Sequence, residues 1–158
     1  MIEPSSPATA FEDPPRSGSV SSCVFCDVVA GRAQARVVYE SSDALAFFPD
    51  APAVRGHTLV VPKVHVQDFL DVKRPEAIAV ADACIAVGRA LKAELAPAGM
   101  NLLTSAGEAA SQTVFHLHVH LLPRWEGDAL GDIWPEVPPS DADELDALAA
   151  ALRQSFAG

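Results

Sequence analysis

Residues 115–123, Phe-His-Leu-His-Val-His-Leu-Leu-Pro, place three histidines at alternate positions of an otherwise apolar run. Successive side chains of a strand point to opposite faces of its sheet, so this pattern of period two predicts a strand with one buried face. The apolar residues that we expect to face the core are Phe115, Leu117, Val119 and Leu121. The histidines that we expect to line the opposite face are His116, His118 and His120.

The spacing of the three histidines limits what they can do together. In an extended strand, neighbouring imidazoles lie about 7 Å apart at the backbone and the outer pair about 14 Å apart, so they are too far apart to ligate one metal ion together. His118, which is flanked on both sides, is the natural candidate for direct chemistry on a bound substrate. His116 and His120 would then orient it or serve other roles.

Composition restricts the class of protein. A chain of 158 residues fits one domain, and its formal charge of −10 argues against a general nucleic-acid binder. It has no apolar stretch of the length that a membrane span requires. Residues 1–22 lack the features of a secretory signal, so we expect a disordered tail there and one domain over residues 23–158. Three cysteines, two of them close together, favour a reduced compartment and a cytoplasmic protein.

Hydrophobic periodicity and turn residues predict an α+β fold. We expect an antiparallel sheet of about five strands with one long helix, a short N-terminal helix and a C-terminal helix. The long helix is expected over Ala77–Ala96, with Ile78, Ile85 and Leu91 in its buried stripe. The other expected elements are a helical turn from Cys23 to Gly31, strands at Val37–Glu40, Ala44–Phe48, His57–Val61, Met100–Thr104 and Val114–Leu122, and a helix over Asp141–Phe156.

Cys23 and Cys26 have the two-residue gap of structural zinc sites, in which two thiolates from one turn occupy two corners of a tetrahedron. Two more ligands are needed, and His65 and His116 would supply them if the histidine strand begins beside this turn. Two other interpretations stay open from spacing alone, namely a reactive dithiol and a pair of buried apolar thiols.

Several motifs together resemble the histidine-triad (HIT) superfamily. They are the alternating histidine run itself, the stretch Gly56-His57-Thr-Leu-Val-Val-Pro-Lys63, and Gln112-Thr113 just before the run. The Cys-x-x-Cys pair, a histidine after Pro-Lys, and Gly127-Asp-x-x-Gly-x-x-Trp134 resemble its zinc-containing, Hint-like branch. This resemblance covers roughly residues 23–134 and implies a HIT-like fold with structural zinc on Cys23, Cys26, His65 and His116.

The resemblance also implies a mechanism and a set of contacts. His118 would attack the α-phosphorus of a nucleotide conjugate and form a covalent nucleotidyl-histidine, which water then hydrolyses. His120 and His116 would assist, and His57 would support the nucleophile by hydrogen bonding. Residues expected to contact the nucleotide are Val24, Phe25, Phe47, Phe48, Asp50, Ser105, Ser111, Gln112, Thr113 and Trp134.

Two positions depart from the family pattern. Many relatives have an aspartate for the ribose hydroxyls where this chain has Pro49, and Asp50 follows one place later. A slip of one residue turns a side chain of a regular strand to the other face, which puts the ribose contact in question. Ser105 occupies a position that is often asparagine, so it keeps a hydrogen-bond donor but has a shorter reach.

The implied activity is hydrolysis of nucleoside 5'-monophosphate conjugates of the phosphoramidate type, with a nucleotide ligand that we expect to be a purine. No catalytic divalent cation and no nucleic-acid or membrane partner are expected. The branch forms two-fold dimers, which implies a homodimer. Two alternatives are hydrolysis of dinucleoside polyphosphates and a non-catalytic nucleotide-binding or sensor module.

Overall fold

The computed structural model describes residues 23–134 and 136–157, so the predicted tail at residues 1–22 lies outside the described part. These described residues form two compact units, which divide between Trp125 and Glu126. The first unit contains α1 Val24–Val29, β1 Arg36–Glu40, β2 Ala44–Phe48, β3 Thr58–Pro62, α2 Arg74–Leu95, β4 Gly99–Leu103, a 3-10 turn at Glu108–Ala110 and β5 Val119–Arg124. The second contains α3 Ala142–Ser155.

The five strands form one antiparallel sheet in the order β1-β2-β3-β5-β4. The first three strands pair in chain order, and β5 lies between β3 and β4. In this register Leu59 pairs with His120, and His120 also pairs with Leu103. The prediction of an α+β fold with five antiparallel strands is confirmed, and the histidine strand lies near the middle of the sheet.

The two faces of the sheet are buried in different ways. Strand alternation sends Ala44, Ala46 and Val60 to one face, where they pack with α2. Leu45 and Phe47 point to the other face and pack with Phe25 of α1. One face is therefore covered by a helix of 22 residues, whereas the other has a helix of six.

The long helix has a different buried stripe from the predicted one. Its buried residues are Val80, Ala83, Cys84, Val87 and Leu91. Leu91 was predicted correctly, but Ile78 and Ile85 are 48% and 52% exposed. Ala83 and Cys84 are small enough to let the helix approach the sheet closely, and that contact sets which face turns inward. The two isoleucines consequently remain on the outer surface of the chain.

The histidine strand is shorter than predicted. It begins at Val119, and residues 114–118 are irregular. In place of strand pairing, the backbone amide of His116 donates to the carbonyl of Val114 and that of Leu117 donates to the carbonyl of Val66. The prediction that Phe115 faces the core is wrong, because its side chain is 41% exposed. Alternation cannot hold where the chain turns.

Gly56 lies just before β3 in a conformation that favours glycine, with φ of +78°. A Cβ at this position would lie 2.5 Å from Leu95 Cδ1 and 3.2 Å from Pro123 Cγ. The end of α2 therefore packs directly against the turn that leads to His57.

The second unit contains the predicted C-terminal helix. Asp141 caps α3 by accepting hydrogen bonds from the amides of Asp143 and Glu144, whose acidic side chains suit the positive end of a helix. Trp134 precedes the helix and is 81% exposed. Across the described residues, we find no helix with the length and apolar character that crossing a membrane demands.

Candidate active site and metal site

Four potential metal ligands converge where α1 meets the start of the histidine segment. Cys23 and Cys26, His65 in the loop after β3, and His116 each offer one donor atom, and all four atoms lie within 4.8 Å of one another. The Nδ1 atom of His116 is 3.5 Å from each sulfur, and that of His65 is 3.3 Å from Cys26 Sγ. The structure thus brings together the four residues that spacing had combined.

These separations suit zinc. Sulfur at about 2.3 Å and nitrogen at about 2.0 Å from a tetrahedral zinc ion lie about 3.5 Å from each other. His116 is also oriented for coordination, because its Nε2–H donates to the carbonyl of Pro62 at 2.9 Å and leaves Nδ1 facing the sulfurs. Burial lowers the pKa of His116, which favours the neutral form that a metal requires.

His118 is buried, and its backbone surroundings determine which ring nitrogen carries the proton. Its Nδ1 lies 2.8 Å from the carbonyl oxygen of His116. A carbonyl can only accept, so Nδ1 carries the hydrogen and Nε2 keeps a free lone pair. The carbonyl of His118 accepts in turn from the hydroxyl of Thr104 at 2.9 Å, a contact that the sequence did not reveal.

His57 and His120 form a second directed pair. The amide of Ala53 donates to His57 Nδ1 at 3.0 Å, so His57 in its neutral form carries its hydrogen on Nε2. That Nε2–H donates to His120 Nδ1 at 2.9 Å. His120 in its neutral form therefore has a hydrogen on Nε2, and its ring centroid lies 5.0 Å from that of His118. One histidine offers a lone pair and its neighbour offers a donor.

Burial keeps the rings of His57 and His120 neutral. Burial, followed by the neighbouring His118 and His57, lowers the pKa of His120 to about 4. Burial alone lowers the pKa of His57. Because both groups are uncharged near pH 7, the hydrogen-bond directions derived above hold under ordinary conditions.

Phe25 and Phe47 line the histidine face of the sheet, and Phe48 does not. The ring of Phe25 meets the rings of His118 and Phe47 edge to face, with centroid distances of 5.3 and 5.6 Å. Phe48 lies on the α2 side, where it lines a groove with Tyr39 and Val87. Adjacent strand residues face opposite ways, so only one of the two predicted phenylalanines can serve the site.

Gln112 holds a loop together. Its Oε1 accepts from the amide of Gly107 at 2.8 Å, and its Nε2 donates to the carbonyls of Gln67 and Val114. The side chain is buried and both ends of its amide are used. The sequence predicted a contact between Gln112 and the nucleotide, whereas the structure uses both ends of this amide to support the loop. The partner on Gln67 lies far away in sequence, and no local pattern could reveal it.

The other predicted contact residues lie in several places. Ser105 and Thr113 flank the loop that Gln112 closes, and Thr113 is exposed. Ser111, in the same loop, adopts a left-handed conformation with φ of +67°. Asp50 is exposed beyond the end of β2 and lies 3.7 Å from Arg36 of β1.

Two more predicted contact residues complete the set. Val24 is an exposed residue of α1. Trp134 belongs to the second unit.

Known proteins are similar to this chain in both sequence and fold. The family model described as the HIT domain matches residues 30–127. Protein hit of Bacillus subtilis is 38% identical over 113 residues, covering 71% of this chain and 78% of that protein. The crystal structure of a Zn-bound histidine triad family protein from Mycobacterium smegmatis is 38% identical with a TM-score of 0.66, covering 87% of this chain and 96% of the other.

A third protein extends the comparison beyond bacteria. The crystal structure of a histidine triad nucleotide-binding protein from Candida albicans is 27% identical with a TM-score of 0.77, covering 86% of this chain and 98% of that one. The HIT model spans more than half of the chain, and it includes His57, His118 and His120. The chain belongs to the HIT family.

Proposed function

We propose that this protein hydrolyses nucleoside 5'-monophosphate conjugates of the phosphoramidate type through a covalent intermediate on His118. The observation that carries the proposal is the hydrogen bond from His118 Nδ1 to the carbonyl of His116, which leaves a lone pair on Nε2. A neutral imidazole with one nitrogen held in this way is a nucleophile at neutral pH. The name of the Candida albicans relative supports a nucleotide as ligand.

The reaction would proceed in two displacements. In the first, the Nε2 lone pair of His118 forms a bond to the α-phosphorus, and the bond from phosphorus to the leaving group breaks. The leaving group departs with that electron pair and takes a proton from water. In the second, water attacks the same phosphorus, which releases the nucleoside monophosphate, a proton and free His118. Splitting one slow displacement into two easier ones is the purpose of covalent catalysis.

Three neighbours would stabilise the intermediate. Once Nε2 bonds to phosphorus, the His118 ring becomes cationic, and the bond from its Nδ1–H to the carbonyl of His116 strengthens. The Nε2–H of His120 would donate to a phosphoryl oxygen, with His57 fixing that donor direction. These hydrogen bonds would become stronger as charge develops on the His118 ring and the phosphoryl oxygens, and they would therefore stabilise the transition state.

The ligand would lie on the histidine face of the sheet. Phe25 and Phe47 would form the apolar floor of a pocket for a base, which we expect to be a purine, and Val24 would add to it at the rim. Ser105, Ser111 and Thr113 would offer hydroxyl groups or amides to the phosphate. One further contact that we retain as a proposal is Asp50 for ribose.

We further propose that Cys23, Cys26, His65 and His116 hold a structural zinc ion. The spacing of their donor atoms supports this, as does the Zn-bound relative from Mycobacterium smegmatis. Bound zinc would supply four fixed bonds that link α1 to the histidine segment. All four positions would be filled by protein, so this ion would have no open site for substrate. A reducing compartment such as the cytoplasm would keep the two thiols available.

We also propose a homodimer formed through α2 and β4. The strand β4 is an edge of the sheet, and Ile85 and Leu102 line a groove of about 490 Å³ on the same side. Both side chains are more than half exposed in the single chain. A dimer would cover this apolar surface and the free strand edge. Light scattering of Ile85→Glu should show monomers, and a dimer that persists would contradict this interface.

The decisive experiment compares two substrates. Adenosine phosphoramidate and a diadenosine polyphosphate are supplied to the wild type, and the protein is quenched in the steady state for peptide mass spectrometry. We expect faster turnover of the phosphoramidate and a nucleotidyl group on the peptide that contains His118. Preference for the polyphosphate would favour the alternative hydrolase. Binding without turnover of either would favour a sensor module and refute hydrolysis.

A further inference from the structure

Two contacts fix the ring of His118, and both involve residues of the predicted metal site or of the helix that carries its cysteines. The first is the hydrogen bond from Nδ1 to the carbonyl of His116, whose own side chain is one of the four clustered ligands. The second is the edge-to-face contact with Phe25, with planes inclined by 74°. Phe25 also meets the ring of His116 at 6.0 Å.

Phe25 belongs to the short helix α1, which depends on other parts of the chain for its stability. The helix α1 has six residues, and its N-cap residue Cys23 makes no side-chain capping bond. Helices this short are unstable alone in water, so α1 depends on tertiary contacts. Cys23 and Cys26 lie on either side of Phe25 in sequence, and their sulfurs face the Nδ1 atom of His116. A metal ion shared by these groups would tie the helix down at both sides of the phenylalanine.

We propose that the metal site positions the nucleophile, with Phe25 as the positioning residue that transmits the effect. When Cys23 and Cys26 share a metal ion with His116, α1 holds the Phe25 ring against the ring of His118. The same ligation fixes the peptide whose carbonyl holds the Nδ1 hydrogen of His118. Without the metal both restraints relax, and the His118 ring becomes free to rotate and to exchange tautomers. The catalytic consequence rests on the proposed function.

The other histidine pair serves as an internal reference. His57 is anchored by the amide of Ala53, at the turn before β3, and His57 in turn orients His120. This anchor does not involve α1. The inference therefore makes an asymmetric prediction, in which metal loss changes His118 and leaves His57 and His120 in their original tautomers.

Nitrogen-15 NMR of the histidine rings tests this without any substrate. In the zinc-loaded protein we expect His118 to show a hydrogen on Nδ1 alone. Removal of zinc with a chelator should give His118 signals of both tautomers, with the His57 and His120 signals unchanged, and added zinc chloride should restore the first spectrum. A single, unchanged His118 tautomer in protein shown to be zinc-free would overturn the proposal.

A variant that keeps all four ligands provides the stricter test. Phe25→Leu should bind zinc in the same ratio as the wild type and yet give mixed His118 tautomers. Val28→Ala is the matched control, because Val28 also packs from α1 against the cluster that contains Phe25; it should keep the wild-type tautomer. If Phe25→Leu keeps the wild-type His118 spectrum, Phe25 does not transmit the effect and the proposal fails.

Kinetics separate this inference from the proposed activity. A misplaced nucleophile slows the chemical step, so kcat of Phe25→Leu at saturating phosphoramidate should fall by about 10-fold to 100-fold. A residue that merely contacts the base would instead raise KM and leave kcat unchanged. Absence of wild-type turnover would refute the hydrolase but leave the NMR result to decide the coupling of metal and nucleophile.

Discussion

The two faces of the sheet are built by different physical means. On the helix face, Val60 and Leu121 pack with α2 in a cluster of apolar side chains. On the histidine face, Phe25, Leu45 and Phe47 belong to a smaller cluster. Hydrogen bonds of the histidine rings to backbone groups and to each other fix the orientation of those rings. One face therefore supplies stability through buried apolar area, whereas the other fixes the orientation of histidine rings through a few hydrogen bonds.

The largest expected effect comes from removing His118, the proposed nucleophile. His118→Ala should lower the hydrolysis rate by about a thousandfold or more, because the variant lacks the imidazole that forms the bond to phosphorus in the proposed mechanism. Its free energy of unfolding should fall by about 1 to 3 kcal/mol, because the variant loses the hydrogen bond to the His116 carbonyl and the ring contact with Phe25. Steady-state kinetics and urea unfolding give the two numbers. A rate within tenfold of the wild type would assign the chemistry to another residue.

The opposite behaviour is expected on the helix face. Leu121→Ala should destabilise the protein by about 2 to 5 kcal/mol, because the residue is 2% exposed and a cavity would remain. The zinc content and the rate per folded molecule should stay close to those of the wild type. Urea unfolding followed by tryptophan fluorescence measures the loss of stability, and elemental analysis measures the zinc content. Loss of zinc in this variant would show that the faces are not independent.

Acid should weaken the histidine face. The pKa of His120 is about 4 in the folded protein, against about 6.5 for an exposed histidine. The unfolded chain therefore binds the proton more readily, so this contribution to stability is fully present above pH 6.5 and is lost as the pH falls towards 4. We expect a loss of about 2 kcal/mol from this group between pH 7 and pH 4.5.

The control for this pH effect is His120→Gln. It keeps every predicted zinc ligand, so acid release of metal affects both proteins alike and their difference isolates His120. His118 and His57 are the titratable neighbours that face this ring, and both remain in the variant. Equal pH dependence of unfolding in the two proteins would contradict the assignment.

The smallest expected effect concerns the loop beside the site. Ser111 has φ of +67°, a conformation that costs a residue with a side chain about 1 kcal/mol and costs glycine little. Ser111→Gly should change the free energy of unfolding by less than about 1 kcal/mol, because relief of strain is offset by the greater freedom of glycine in the unfolded chain. A thermal melt that shows a much larger loss would mean that the Ser111 side chain makes an important contact.

The sequence predicted elements well where local signals agree. The bounds of β2, Ala44–Phe48, match the prediction to the residue, because a turn precedes the strand and Pro49 follows it. The pattern misled at Phe115, since the turn that orients His118 uses the amide of Leu117, which bonds to a segment 51 residues earlier. It also misled at Ile85, because burial in α2 follows contacts with the sheet more than side-chain size.

The candidate site also contains residues that the sequence predicted and residues that it did not. The four clustered ligands were suggested by the Cys-x-x-Cys spacing and the placement of His65 and His116, and the family resemblance implied the same set. Thr104 and the role of Gln112 were not found, because a threonine and a glutamine are common in loops and their partners are backbone groups. Side-chain bonds to distant backbone leave no pattern in the sequence.

Gly56 couples the end of α2 to the position of His57. Leu91 and Leu95 of the helix both approach the space that a Cβ at Gly56 would fill, and His57 is the next residue. One residue inserted before them in α2 would shift their positions by about 1.5 Å and turn them by about 100°. The length of α2 is therefore constrained at this end, because a displacement of Leu91 and Leu95 would also disturb the turn that positions His57.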